Sequence, residues 1–236
     1  MRFQRRFFVL LTLAGVMAGG LSSSAREAPY LSAHDLDLVQ ILPPPVAKGS
    51  AADREEQARV LAAQRAASPE RIAQARRDVD ESLESMFGSV LGKPLEVRAL
   101  PATNRLFIRL EETEEAVVAP AKEAFGRIRP YLGNPEIKPL VRPSISGAYP
   151  SGHTTHVNLA AIVLANMVPE KRAAIWERAA DYAFSRVIGG MHYPDDLDGG
   201  RRAGTAIAVA LLGRPEFKAD FEAARRELRQ ALGLPP

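Results

Sequence analysis

Pro150-Ser151-Gly152-His153-Thr154-Thr155-His156-Val157-Asn158-Leu159-Ala160-Ala161-Ile162-Val163-Leu164-Ala165 joins a turn to an apolar run at helical spacing, so a helix is expected to start at Gly152 and run to Met167. The same periodicity extends in both directions. Downstream it predicts helices over 170–187, 195–212 and 215–232; upstream over 51–67 and 69–91, the latter opened by the start signal Ser68-Pro69-Glu70. A further helix runs from Pro101 or Ala102 towards Arg127, with a kink or split expected at Pro120. The small apolar stretch from Ala203 to Leu212 is expected to be the central packed helix. With no alternating strand pattern, no repeat and no linker long enough for a second domain, the chain reads as all-α, a single-domain helical bundle with its site among facing helix ends.

The start of the helix at Gly152 also carries chemistry. Helix N-termini present free N–H groups and a partial positive charge, which makes them anion sites. The Ser151 hydroxyl and Gly152 amide therefore belong to a candidate phosphate clamp. Arg129 and Arg186 add planar forks suited to pairs of phosphate oxygens, and Lys122 adds a compact charge on a flexible stem. A phosphoryl-transfer site needs little else, because its barrier falls through positioning and through donors aimed at the equatorial oxygens. For a nucleophile the chain offers no cysteine and four histidines, His34, His153, His156 and His192. Pro194 favours a first helical position, so His192 lies just ahead of a helix and Asp196 projects from its first turn. A carboxylate on Nδ1–H fixes the tautomer and frees Nε2 for attack.

Taken singly, each piece has a plainer meaning. Lys122, Arg127 and Arg129 beside Glu111, Glu112, Glu114 and Glu115 read as a solvated charged face, and Pro150-Ser151-Gly152 as a turn. Asp195 and Asp196 could serve only the helix dipole. His153, His156, His192 and Asp196 resemble a metal-ligand set, but a helix starting at Pro194 spoils a shared face and three nearby cations oppose a divalent ion. No metal or other cofactor is expected. His34 and His156 are read as structural.

Lys122-x6-Arg129-Pro130, Pro150-Ser151-Gly152-His153 and Ser185-Arg186-x5-His192-x3-Asp196 together resemble the tripartite signature of the type-2 phosphatidic acid phosphatase superfamily, and within it the bacterial class A non-specific acid phosphatases. The likeness is strongest from Lys122 to Arg201. Ala148 stands where the family usually has serine, and Ile41-Leu42-Pro43-Pro44-Pro45 is similar to the family's proline run. The resemblance implies a metal-independent acid phosphatase of broad range. In that reading His192 becomes a phosphohistidine, Asp196 orients it, His153 protonates the leaving alkoxide, and Lys122, Arg129, Ser151, Gly152 and Arg186 bind phosphate. It also allows a homo-oligomer. Phosphotransfer to an alcohol or nucleoside, vanadate-dependent haloperoxidase chemistry and an inactive phosphate-binding envelope protein are the alternatives.

Residues 1–25 carry Arg2, Arg5 and Arg6, then an apolar run and small residues ending in Ser24-Ala25, the pattern of a signal peptide. That leaves 26–236 as the phosphatase domain, its motif-bearing core about 101–212, in a periplasmic or secreted protein. Those three arginines account for the formal net charge of +3, so the remainder is balanced. No basic stripe with interleaved aromatics marks a nucleic-acid partner. The apolar run is too short for a comfortable membrane span, so the expected partners are small phosphate monoesters, with no integral membrane association.

Overall fold

The computed structural model describes residues 27–92 and 96–236; the expected leader, 1–25, lies outside them. Among the described residues there are helices and no strands. In chain order they are α1 (Leu38–Ile41), α2 (Ala51–Ala66), α3 (Pro69–Arg77), α4 (Leu83–Leu91), α5 (Pro101–Phe125), α6 (Pro130–Gly133), α7 (Gly152–Met167), α8 (Arg172–Ile188), α9 (Pro194–Leu211) and α10 (Pro215–Leu232), with 3₁₀ turns at Val97–Ala99 and Pro169–Lys171.

The helix expected over 69–91 is two helices. Asp78 is fully buried and accepts hydrogen bonds from Arg178 Nη2 and Ser185 Oγ, both at 2.6 Å, while Ser82 caps α4 by accepting from the Ser85 amide. Tertiary partners for Asp78 and a local cap at Ser82 thus outweigh continuous helix over 78–82. Conversely, Pro120 does not split α5. It sits on the exposed side, while Val117, Val118 and Ala121 beside it are buried and anchor both halves. Helix α5 ends two residues before the expected limit, where Gly126 adopts φ 60° and returns its amide to Lys122 O.

The central helix is α7, not the 203–212 stretch. Twelve of its 16 residues are buried, and it packs against α5, α8, α9 and α10. Val209 in α9 and Leu212 at its C-cap are 63% and 61% exposed, because that helix covers one side of α7 and leaves its own far face outside. The α7–α9 contact is close because of glycine. A Cβ on Gly204 would lie 2.6 Å from the Thr155 carbonyl oxygen, and one on Gly200 would lie 2.8 Å from Ser151 O. Backbone cannot yield as a side-chain tip can. Gly204→Ala should therefore destabilise the protein by about 1–3 kcal/mol despite alanine's better helix propensity. Urea denaturation measures this, and an unchanged or raised midpoint would contradict the packing argument.

Candidate active site

Three chain segments converge at the start of α9. Gly126 ends α5, and the short connection that follows reaches α6 with Arg129 in an extended backbone. Arg127 and Arg129 both reach the α9 start. Arg129 is nearly buried; its Nη1 stands 3.1 Å from His192 Nε2 and donates to Met191 O at 3.1 Å, while Nε donates to Ser146 O at 2.9 Å and Nη2 to Ser146 Oγ at 3.0 Å. A guanidinium only donates, so it meets the Nε2 lone pair, and the His192 proton belongs on Nδ1, facing Asp196 Oδ2 at 3.4 Å. Asp196 is fully buried. Its Oδ2 accepts from the Tyr193 amide at 2.8 Å and its Oδ1 from Arg127 Nη1 at 2.6 Å, which favours the ionised carboxylate even though burial pushes the group up. Burial, then Arg129, Lys122 and Arg186, hold His192 well below the usual imidazole range, so it is neutral.

The second segment is the α7 start. Ser151 is the N-cap; its Oγ accepts from the Thr154 amide and hydroxyl, and its own amide donates to Asp196 O at 3.0 Å, tying α7 to α9. Lys122 comes down from α5 onto this helix start: a Cβ on Gly152 would stand 3.8 Å from Lys122 Nζ and 3.0 Å from Glu114 Oε1, so a side chain there would crowd the clamp. Burial and then Arg129 lower the Lys122 ammonium, against the pull of Glu114. Burial raises Glu114, whose Oε1 has no hydrogen-bond partner among the described residues.

The third segment is the end of α8. Arg186 is 4% exposed, and its Nε and Nη1 find no acceptor among the described residues. Burial lowers it to about 10, still charged in any acidic or neutral medium. Its backbone carbonyl accepts from the amides of Met191 and His192, which fixes the α8–α9 turn. Arg129, Lys122 and Arg186 thus lie near enough to His192 to act on its charge, Ser151 is tied to Asp196 through the backbone, and Gly152 sits beside Lys122.

His153 lies against Glu81 and the Val79 carbonyl. Its Nδ1 is 3.5 Å from Glu81 Oε2 and its Nε2 is 3.3 Å from Val79 O; burial, then Arg186, pull it down to about 3, so within the chain's own field it is neutral. Nor do the histidines combine as ligands: His153 and His156 face Glu81, whereas His192 faces Arg129 and Asp196. Three important residues were not singled out from the sequence. Arg127, read as part of a solvated face, is buried and ion-paired to Glu56 and Asp196, both at 2.6 Å, with its guanidinium 4.3 Å over the Tyr193 ring. Glu56 closes the loop by accepting from the Asp195 amide at 2.8 Å. Gly126, a helix stop just ahead of it, could have revealed Arg127; nothing local distinguishes Glu56 or Glu81.

Residues 113–218 match the PAP2 superfamily. Over 96% of its length the chain is 30% identical to an acid phosphatase of Zymomonas mobilis, covering 91% of that protein. The chain belongs to the PAP2 superfamily. Among its relatives there are non-specific acid phosphatases of Providencia stuartii, 30% identical over 91% of this chain and 90% of that one, and of Salmonella typhi, 30% identical over 95% and 94%. The fold is shared with a transmembrane PAP2-type phosphatidylglycerolphosphate phosphatase from Bacillus subtilis, at a TM-score of 0.52 and 19% identity over 76% of this chain and 91% of that one. Here, no helix among the described residues is long and apolar enough to cross a membrane. Family membership agrees with the all-helical fold and with a phosphatase.

Proposed function

We propose that this acid phosphatase cleaves phosphate monoesters of broad range through a phosphohistidine on His192, without a metal. One observation carries the reading: the His192 Nε2 lone pair faces Arg129 Nη1 at 3.1 Å, with Lys122 and Arg186 also acting on the ring and Asp196 behind Nδ1. A phosphate dianion entering this cationic cage draws Arg129 onto its own oxygens and releases that lone pair. Nε2 attacks phosphorus, and the ester P–O bond breaks with its electron pair moving to oxygen. His153 supplies the proton that makes the departing oxygen an alcohol, then takes one from the water that hydrolyses the phosphohistidine. The dianion's charge offsets Arg186 and Lys122 and raises the imidazole for this task. Lys122, Arg129 and Arg186 supply the charge stabilisation that a divalent ion otherwise gives.

The cage suits acid. The Lys122 pKa is lowered, so its ammonium is fully present at low pH and lost as pH rises through a value below the ordinary lysine range, and phosphate binding weakens there. The signal-peptide pattern of residues 1–25 supports a periplasmic or secreted enzyme acting on small monoesters.

His153→Ala tests the reading. A phenolate leaves unaided and an alkoxide does not, so kcat/KM should fall roughly 10²-fold for an alkyl phosphate and about tenfold or less for p-nitrophenyl phosphate. Equal losses would make His153 a clamp or structural residue. EDTA should change neither rate, and a loss restored by a divalent ion would overturn the metal-independent reading.

A further inference from the structure

His153 and His156 lie at i, i+3 on α7 and so share a face. Against both lies Glu81, from the connection that interrupts the expected 69–91 helix. Its Oε2 is 3.5 Å from His153 Nδ1 and its Oε1 is 3.6 Å from His156 Nδ1. His156 is 1% exposed, and neither of its ring nitrogens has a hydrogen-bond partner among the described residues; Glu81 keeps 26% of its side chain exposed. A buried imidazole with no other partner and a carboxylate with a route to water make a pair in which each holds the other.

We propose that Glu81, anchored by His156, is a positioning residue for His153: it orients the imidazole through Nδ1, so that the Nε2–H, which rests 3.3 Å from Val79 O until substrate enters, is the proton handed to the ester oxygen, and it supplies the negative charge that lets His153 carry that proton inside a cationic cage. This rests on the general-acid reading of His153. The competing charges come from every side. Lys122, Glu111 and Glu114 face this region from α5, Arg186 from α8, His192 from the α9 start and His156 from α7 itself. Arg186 and Lys122 oppose a proton on His153; Glu81 favours one. Although burial alone would raise it, Glu81 is held down at about 2 by His153 and His156, so it is an anion throughout the acid range. Burial opposes a charge on His156, but Glu81, Glu114 and Glu111 overcome it and raise that group. The result is a line of imidazolium, carboxylate and catalytic imidazole. As the P–O bond breaks, the His153 Nε2 proton passes to the ester oxygen; Glu81 neither gains nor loses one.

The test compares kcat/KM for glycerol phosphate and p-nitrophenyl phosphate, from pH 4 to 8, in wild type, Glu81→Gln, His153→Ala and the double variant Glu81→Leu/His156→Leu. Because kcat/KM reports through P–O cleavage, slow hydrolysis of a phosphoenzyme does not mask the effect. Glu81→Gln should lose about tenfold more on the alkyl than on the aryl ester. Its alkaline limb with glycerol phosphate should move down by about one pH unit, since removing an anion at this distance lowers the imidazole. The double variant replaces a partly buried ion pair with apolar side chains, an exchange proteins often tolerate, and should show the same selective loss even if Glu81→Gln folds poorly. Equal losses on both esters with an unmoved limb, in either folded variant, overturn the proposal. If His153→Ala is selective while the Glu81 variants are not, this inference alone fails; if His153→Ala is itself unselective, the general-acid reading fails with it.

Discussion

His192→Ala should bring turnover of every phosphate ester down to background while the protein remains folded. The loss is this large because no other side chain presents a nucleophilic lone pair to the cage: the chain has no cysteine, and His153 and His156 are turned to Glu81. Folding survives because Asp196 keeps its two strongest partners, Arg127 Nη1 at 2.6 Å and the Tyr193 amide at 2.8 Å, when the imidazole goes. Circular dichroism and a p-nitrophenyl phosphate assay on the same sample check both halves. A labelled monoester, mixed rapidly with wild type and quenched in alkaline denaturant where phosphohistidine is stable, should leave label on His192. Label on serine, or none in a competent burst, would count against the covalent scheme.

Arg186→Ala should cost roughly 10²–10³ in turnover, the magnitude of removing a preorganised transition-state donor. Its stability should move the other way. Arg186 is 4% exposed with two nitrogens unpaired among the described residues, so the folded protein bears the desolvation of a cation with little return, and alanine relieves it. A melting temperature unchanged or raised, together with the lost turnover, is the expected signature of a donor held ready for phosphate. A lowered melting temperature with proportionate loss of activity would mark Arg186 as structural. Arg129→Ala makes the contrast. It should lose comparable turnover and also stability, because Arg129 spends donors on the carbonyls of Ser146, Gly147 and Met191. Arg186→Lys retains charge without the planar fork and should recover only part of the rate.

The sequence alone determined the elements whose signals are local. The α7 start and end, α10, and the position of Pro194 at the head of α9 follow from apolar periodicity, cap residues and the fixed φ of proline, all set within a few residues. The residues proposed to bind phosphate and the two proposed site histidines were singled out for a related reason: the spacing of three motifs carries them, and a helix N-terminus is an anion site wherever it occurs. What escaped was decided by partners distant in the chain. Helix 69–91 breaks because Asp78 finds Arg178 and Ser185, about a hundred residues away, and the break delivers Glu81 to His153. Arg127 turns inward because Glu56 and Asp196 wait there with opposite charge. His156 looks like one more core residue until Glu81 arrives beside it. Periodicity tells which face of a helix is buried, but the charge that will meet a buried ionisable group is fixed only when separate segments pack. In this protein that packing sets the tautomer of His192 and the protonation of His153.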